Sequence, residues 1–250
     1  MKAILLDIEG TTTPISFVHK TLFPYARARV PGFVLDNLSD LKFEIEQLVQ
    51  EHETESGYDR EFRPESANSV SDYLKFLIDQ DRKSTPLKAI QGMIWRAGYE
   101  KGEIVSPVFN DVPDALKRWK AAGKTIAIFS SGSVQAQQLL FKYTDVGDLT
   151  QFISNYFDTN IGSKRNESSY AVIAEELALL PGEIHFVSDI PVELDAARAA
   201  GMQTSLSVRP LRRRPGAQAR NGTLCPPSHS MRLPPRSGPW LACPNSRNTG

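Results

Sequence analysis

The sequence predicts an α/β fold in which a parallel β-sheet carries helices on both faces. Three observations support this: short apolar runs recur along the chain, helical patterns separate most of them, and polar residues directly follow several of the runs. Such alternation is typical of parallel strands that are joined by crossover helices. A small helical insert interrupts the alternation after the first strand.

Five apolar runs are the predicted strands, and their mostly continuous apolarity indicates burial on both faces of the sheet. The runs are residues 3–8 (AILLDI), 125–129 (TIAIF), 152–157, 184–187 (IHFV) and 203–208. Helices are predicted between them from Pro113 to Gly123 and over residues 135–143, 168–179 and 191–200.

Residues 11–105 carry three further helical patterns instead of strands. The apolar positions are Leu38, Leu41, Ile45 and Leu48; then Val70, Leu74, Leu77 and Ile78; then Leu87, Ile90 and Ile94 after Pro86. Their spacing predicts helices with one apolar face. We therefore expect an α/β core of residues 1–10 and 106–208, a helical cap of residues 11–105, and an atypical tail of residues 209–250.

The predicted tail differs in composition from the rest of the chain. It contains eight arginines and no Asp, Glu or Lys, and it is rich in Pro, Ser, Gly and Asn, which predicts disorder. Since the whole chain balances 29 basic against 29 acidic residues, the remainder is acidic, which argues against nucleic acid as a partner. Cys225 and Cys243 both lie in the tail, so the body has neither a disulfide nor a thiol nucleophile. There is no secretory signal and no apolar run of membrane-spanning length, so we expect a cytoplasmic protein without a membrane partner.

Six polar residues follow the predicted strands or precede a helix. Asp7 and Glu9 follow the first strand, Ser130 and Ser131 the second and Asp189 the fourth, while Lys164 lies in the loop IGSKRNES. Ligands of parallel sheets bind beyond the carboxyl ends of the strands, so these side chains should converge.

Phosphoryl transfer uses this set of groups. An aspartate can attack phosphorus, and a second acid can protonate the leaving oxygen and then activate water. Carboxylates hold Mg²⁺, while a lysine and backbone N–H groups near Ser131 and Gly132 offset phosphoryl charge. The sequence therefore predicts a Mg²⁺-dependent hydrolase of small phosphorylated molecules with Asp7 as the nucleophile.

Each of these residues also has an ordinary structural interpretation. Asp7 can belong to a turn, Ser130 and Ser131 can cap the helix that follows them, Asp189 can cap the helix near Pro191, and Lys164 can be a solvated loop charge. The motif Asp7–Glu9–Gly10–Thr11–Thr12 favours the functional interpretation, because the residues occur together.

Four segments resemble the motif regions of the haloacid dehalogenase superfamily. They are DIEGTTTPISFVHKTLFPYA, SSGS, the lysine loop and SDIPVELDAARAAG. Within the superfamily they are similar to the enolase-phosphatase E1 family, also known as acireductone synthases. Glu9 is the specific feature, because most of the superfamily carries Asp at this position. The resemblance extends over residues 1–210, and IWRAGYEKGEI strengthens it.

The resemblance implies a Rossmann-like core with a helical cap and a two-step reaction. The implied substrate, 2,3-diketo-5-methylthiopentyl-1-phosphate, is enolised and then dephosphorylated to an acireductone in methionine salvage. One Mg²⁺ per subunit would be held by Asp7, Glu9 and Asp189, with Asp7 as nucleophile and Glu9 as acid/base. Ser130, Ser131 and Lys164 would bind the substrate, and the enzyme would be a monomer. Lys164 and Glu9 both remain candidates for the base that enolises the substrate.

Two alternatives remain at this point. A sibling phosphatase of another small phosphate ester would carry the same four motifs. An inactive protein is the other alternative, because the sequence departs from the family's pattern after Val208–Arg209–Pro210, which suggests a shifted reading frame.

Overall fold

The computed structural model describes residues 1–209, so the predicted tail from residue 210 onwards lies outside the described residues. One five-stranded parallel sheet forms the centre, with strand order β3-β2-β1-β4-β5. The strands are β1 (Ala3–Leu6), β2 (Thr125–Phe129), β3 (Asn155–Phe157), β4 (Ile184–Ser188) and β5 (Gln203–Leu206). The predicted α/β fold is thereby confirmed.

Strand β1 lies at the centre of the sheet. Leu6, its last residue, is in register with Ile128 of β2 and Val187 of β4. The polar residues that follow β1, β2 and β4 consequently emerge at the same edge of the sheet. This edge carries the predicted site.

Three predicted strands are shorter than expected: β5 ends at Leu206 instead of residue 208, and β1 and β3 are shortened for local reasons. After β1, the carbonyl of Ile8 accepts hydrogen bonds from the N–H groups of Thr11, Thr12 and Thr13, so the chain turns instead of continuing residues 7–8 as strand. Before β3, a 3₁₀ turn over Thr150–Phe152 takes up the start of the predicted run.

Helices cover both faces of the sheet. Following the insert, they are α6 (Val112–Ala121), α7 (Val134–Lys142), α8 (Glu167–Glu176) and α9 (Pro191–Ala199). Ile4 and Leu6 of β1 belong to the apolar cluster on one face with Trp119 of α6, whereas Leu5 belongs to the other with Tyr170 of α8. Side chains of a strand alternate between faces, so β1 anchors both clusters.

The insert is helical, as predicted. Its elements are α1 (Ile15–Phe17), a π-helical turn (Val18–Leu22), α2 (Phe23–Asn37), α3 (Lys42–His52), α4 (Ala67–Asp79) and α5 (Thr85–Glu100). They share one apolar cluster that also includes Leu139 of α7. No helix within residues 1–209 is long and apolar enough to cross a membrane.

The predicted helix through Leu38 and Leu41 begins later than expected. Asp40 and Leu41 both donate backbone hydrogen bonds to the carbonyl of Asn37, so residues 38–41 form a turn and α3 starts at Lys42. Helix α2 was not predicted, and it contains Pro31 in its interior, where a proline usually weakens a helix. Its signal was nevertheless present, since Ala26, Val30 and Val34 recur every four residues and all three are buried.

Candidate active site at the carboxyl ends of the strands

Asp7 lies directly beyond the central strand and is 3% exposed. Its backbone N–H donates to the carbonyl of Val187 on the neighbouring strand at 3.0 Å. The turn formed on the carbonyl of Ile8 then reverses the chain, so Glu9 and Gly10 follow Asp7 at the same edge. The hydrogen bonding of the sheet thus fixes the backbone that carries the predicted nucleophile.

Lys164 reaches the Asp7 side chain from the loop before α8. Its Nζ atom lies 2.5 Å from Oδ1 of Asp7, and the hydroxyl of Tyr170 donates to its backbone carbonyl at 2.7 Å. The Oδ2 atom of Asp7 makes no hydrogen bond within residues 1–209. One carboxylate oxygen is therefore held by the ammonium group, while the second is available to a ligand.

Glu193, a residue that sequence reasoning missed, completes this ion-pair cluster. Its Oε2 lies 2.7 Å from Nζ of Lys164 and accepts a hydrogen bond from Oγ of Ser188 at 2.9 Å. Glu193 lies in the first turn of α9, within the quoted segment SDIPVELDAARAAG and four residues after Asp189. Its place in this motif segment, close behind Asp189, was the available signal.

Burial and neighbouring charges shift the pKa values of these groups. Burial raises the pKa of Asp7 to about 7, although the charge and hydrogen bond of Lys164 act to lower it. Burial also acts to lower the pKa of Lys164, but the charges of Asp7 and Glu193 outweigh it, so that pKa is raised. The ammonium group consequently stays protonated as a counter-charge in a crowded acidic site.

Glu9 and Asp189 form the other half of the cluster. Burial raises the pKa of Glu9, and the negative charges of Asp189 and Glu193 add to this effect, while Lys164 and His19 oppose it. The pKa of Asp189 is raised by burial and by Glu193. A Cβ atom on Gly10 would lie 2.0 Å from Oδ2 of Asp189, so the backbone next to Glu9 approaches this carboxylate as only glycine permits.

The loop after β2 carries Ser130 and Ser131. The Oγ atom of Ser130 accepts from the N–H of Gly132 at 3.3 Å, and Ser131 is exposed. Gln137 of α7 holds this loop, because its Nε2 donates at 2.8 Å to the carbonyl of Gly132 and at 2.8 Å to that of Phe157. The ordinary structural interpretation of the two serines was wrong, since Ser133 caps α7 through its Oγ.

The capping interpretation of Asp189 is also wrong. Helix α9 has Ile190 at its N-cap, without a side-chain cap hydrogen bond. The Oδ1 atom of Asp189 is buried and has no hydrogen-bond partner among the described residues. Buried carboxylate oxygens are nearly always paired, so this atom is suited to a ligand.

The carboxylates fit a Mg²⁺ ion by their chemistry. Within residues 1–209, no three His, Cys, Asp or Glu side chains already form a group that could hold a metal ion, and the ammonium of Lys164 is instead the counter-charge of Asp7. The unpaired oxygen of Asp189, the free Oδ2 of Asp7 and the acid Glu9 nonetheless supply the hard oxygen ligands that Mg²⁺ takes.

A cavity opens between this edge of the sheet and the helices of the insert. Of the six predicted site residues, Glu9, Ser130 and Ser131 line it. The insert contributes an apolar wall that includes Leu22, Trp95 and Leu87. The Nε1–H of Trp95 donates to the carbonyl of Leu22 at 2.9 Å, which fixes this wall.

The family model of haloacid dehalogenase-like hydrolases matches residues 1–201. With a parallel sheet, an acidic site at its carboxyl edge and a helical insert after β1, the chain belongs to this class of hydrolases.

Its curated relatives narrow the assignment. The chain is 52% identical over 210 residues to enolase-phosphatase E1 of Synechococcus elongatus, covering 83% of this chain and 88% of the relative. It is 52% identical over 206 residues to the protein of that name from Leptospira borgpetersenii, with 82% and 88% covered. The Drosophila pseudoobscura protein is 47% identical over 217 residues, with 84% and 85% covered. The chain therefore belongs to the enolase-phosphatase E1 family, and both the family and the enzyme class expected from the motifs are confirmed.

Solved structures agree with this fold. The UTR4 protein of Saccharomyces cerevisiae matches with a TM-score of 0.69 and 36% identity, over 87% of this chain and 95% of that one. CbbY from Rhodobacter sphaeroides matches with a TM-score of 0.52 and 17% identity, over 82% and 84%, which shows the shared fold alone.

Proposed function

We propose that this chain converts 2,3-diketo-5-methylthiopentyl-1-phosphate to an acireductone and inorganic phosphate, as a step of methionine salvage. One observation carries the phosphatase half: Lys164 holds Oδ1 of Asp7 at 2.5 Å while Oδ2 makes no hydrogen bond within residues 1–209. A carboxylate fixed at one oxygen and free at the other is prepared for attack on phosphorus. The enolase half rests on the family relatives.

In the proposed hydrolysis, Asp7 attacks the phosphoryl group and forms an aspartyl-phosphate while Glu9 protonates the leaving oxygen. Glu9 then takes a proton from the water that hydrolyses this intermediate. Burial raises the pKa of Glu9, which favours its protonated form as the acid in the first step. Ser130, Ser131 and Lys164 bind the phosphoryl oxygens.

We further propose that Asp7, Glu9 and Asp189 hold one Mg²⁺ per subunit. When bound, the ion would offset negative charge on the phosphoryl oxygens. The unpaired, buried Oδ1 of Asp189 supports this assignment. Glu9 is the better of the two candidates for the base that removes the carbon-bound proton during enolisation, because Lys164 stays protonated as the counter-charge of Asp7 and Glu193.

The proposal also includes the division into core and cap, the oligomeric state and the location of the enzyme. The core of residues 1–10 and 106–208 supplies the chemistry, and the cap of residues 11–105 covers it and selects the substrate. The apolar wall around Trp95 supports this division, since the substrate carries a thioether tail. The enzyme acts as a monomer in the cytoplasm, on a small molecule and not on nucleic acid.

The test is to incubate the protein with the diketo phosphate and Mg²⁺ while recording enol absorbance and phosphate release. Both signals are expected, and both should be lost when Mg²⁺ is chelated. Phosphate release without an enol signal would instead identify a sibling phosphatase. Neither signal, together with a non-cooperative thermal transition, would identify a protein inactivated by its altered tail.

A further inference from the structure

Two polar residues interrupt the apolar wall that helix α5 contributes to the cavity. Lys88 and Gln91 are three residues apart, which places them on one face of the helix, and both line the cavity. Their neighbours on this wall, Leu87 and Trp95, are apolar. A wall built only for an apolar tail would not need an ammonium and an amide at this position.

The ammonium group of Lys88 lacks a charged partner. Its Nζ lies 3.4 Å from the carbonyl oxygen of Ser131, which is a long hydrogen bond, and it forms no ion pair with a carboxylate in the described chain. An ammonium group has three N–H donors, so at least two stay available on the cavity side. The contact brings Lys88 across the cavity to the loop that carries Ser130 and Ser131.

Gln91 is the second, independent observation. The residue is only 5% exposed, and its amide makes no hydrogen bond with any residue that the structure describes. Since Gln91 lines the cavity, its amide oxygen and N–H groups are available to a polar ligand there. The required ligand offers oxygen atoms close to the phosphate-binding loop.

Lys88 approaches the loop of Ser130 and Ser131 from a different side than the proposed phosphoryl site at Asp7 and Lys164. The carbonyl of Ser131 and the N–H of Gly132 belong to one trans peptide unit, so they point in opposite directions. Lys88 contacts the carbonyl and therefore lies on the side of this peptide away from the Gly132 N–H. That N–H points toward Ser130, and the ammonium group beside Asp7 is that of Lys164. The oxygen atoms next to the phosphate on the carbon skeleton are consequently the better match for Lys88.

We propose that Lys88 and Gln91 bind the two ketone oxygens of the substrate and that Lys88 stabilises the enolate. This inference rests on the proposed function and deepens its enolase half. In the enolisation step Glu9, as the base, takes a proton from carbon 1. The C–H electron pair becomes the C1=C2 double bond, and the C=O π pair moves onto the carbon 2 oxygen. The ammonium of Lys88 offsets that new negative charge, and protonation of the oxygen then gives the enol.

The test compares Lys88→Met and Gln91→Leu with the unmodified chain. Lys88→Met should lower kcat for enol formation from the diketo phosphate by about 10²-fold, as for loss of one donor to a developing oxyanion. Gln91→Leu should lower kcat/KM by roughly tenfold, as for a neutral hydrogen bond. Inorganic phosphate should inhibit both variants and the unmodified chain to the same degree, because the proposed phosphate site at Asp7 and Lys164 is unchanged. Lys88→Arg should recover part of the lost rate.

Lys117→Met on the exposed side of α6 is the charge-matched control, and it should behave like the unmodified chain. Thermal transitions confirm that each variant is folded. Unchanged enol formation in Lys88→Met and Gln91→Leu would overturn this inference and leave the proposed function intact. A parallel loss of phosphate inhibition in Lys88→Met would overturn it too, since Lys88 would then be a phosphate ligand. An unmodified chain that yields neither enol nor phosphate would refute the proposed function itself.

Discussion

The Nζ atom of Lys164 lies 2.5 Å from the Oδ1 atom of Asp7, although 157 residues separate the two along the chain. Glu193 approaches the same ammonium at 2.7 Å. Burial in this cluster raises the pKa of Asp7 to about 7, even though Lys164 acts in the opposite direction. The contact with Lys164 fixes Oδ1 of Asp7, while Oδ2 stays available to a ligand.

Asp7→Asn should abolish phosphate release, by about 10³-fold or more, because an amide oxygen is a poor nucleophile. The protein should remain folded, since the amide has a similar shape and leaves Lys164 paired with Glu193. Steady-state phosphate release and thermal melting measure the two effects. Asp195→Asn on the exposed side of α9 is the control and should retain full activity. Substantial turnover in Asp7→Asn would refute the aspartyl-phosphate mechanism.

Glu193→Gln should lower kcat/KM by about tenfold, as is typical when a group that orients a site residue is changed. Glutamine can still accept from Ser188 but no longer carries a charge for Lys164. Steady-state kinetics on the diketo phosphate check the result. Glu175→Gln, an exposed change on α8, serves as the matched control. Equal rates for both variants would show that Glu193 does not position Lys164.

Gly10→Ala should inactivate the enzyme, whereas Gly102→Ala should not. Both glycines have a positive φ, of 72° and 71°, so both substitutions carry a similar backbone penalty of about 1 kcal/mol. Only at Gly10 would the new Cβ collide with another group, at 2.0 Å from Asp189, whereas at Gly102 no atom lies within 4 Å. Phosphate release and the free energy of unfolding are measured for both variants. The backbone penalty should lower the stability of both, whereas the collision with Asp189 should abolish phosphate release only in Gly10→Ala. Full activity of Gly10→Ala would show that the close approach to Asp189 is not required.

Replacing His185 by Gln should make the protein less sensitive to mild acid. Burial lowers the pKa of His185 below its usual 6.5, the N-terminal amino group adds to this, and a hydrogen bond with Gln203 opposes it. The unfolded chain therefore binds a proton near pH 6.5 that the folded protein binds only at lower pH, so stability falls as pH drops through this window. His185→Gln lacks this contribution.

Melting temperatures at pH 7.5 and 5.5 measure the effect for both proteins. The decrease between the two values should be smaller in His185→Gln. The raised pKa values of Asp7, Glu9 and Asp189 act in the opposite direction, but they are common to both proteins and cancel in the comparison. An identical decrease would show that His185 does not contribute.

Tyr73→Phe should stabilise the protein by about 1 kcal/mol, whereas Tyr99→Phe should destabilise it by a similar amount. The Oη atom of Tyr73 is buried and has no hydrogen-bond partner in the described chain, so its removal eliminates a desolvation cost. The Oη of Tyr99 instead lies 2.7 Å from Oγ of Ser106. Urea unfolding measures the free energy of unfolding of both variants. A change of the same sign in the two variants would contradict the different environments of the two hydroxyl groups.

Local patterns sufficed to predict most of the fold. The runs AILLDI, TIAIF and IHFV became central strands because their continuous apolarity requires burial on both faces. Helix α6 ends near Gly123 as predicted, since glycine adopts the positive φ that ends a helix. Helix α2 was not predicted, and tertiary burial of Val30 and Val34 stabilises it despite Pro31 in its interior.

By itself, the sequence determined the strands, the residues that follow them and the family to which the chain belongs. These features are encoded locally, in apolar runs and in short motifs such as DIEGTT. Only the tertiary structure decided that Lys164 pairs with Asp7 and Glu193, that Ser133 caps α7, and that Lys88 and Gln91 face the cavity. Contacts between distant residues depend on how the sheet and helices pack together, and no local pattern specifies that packing.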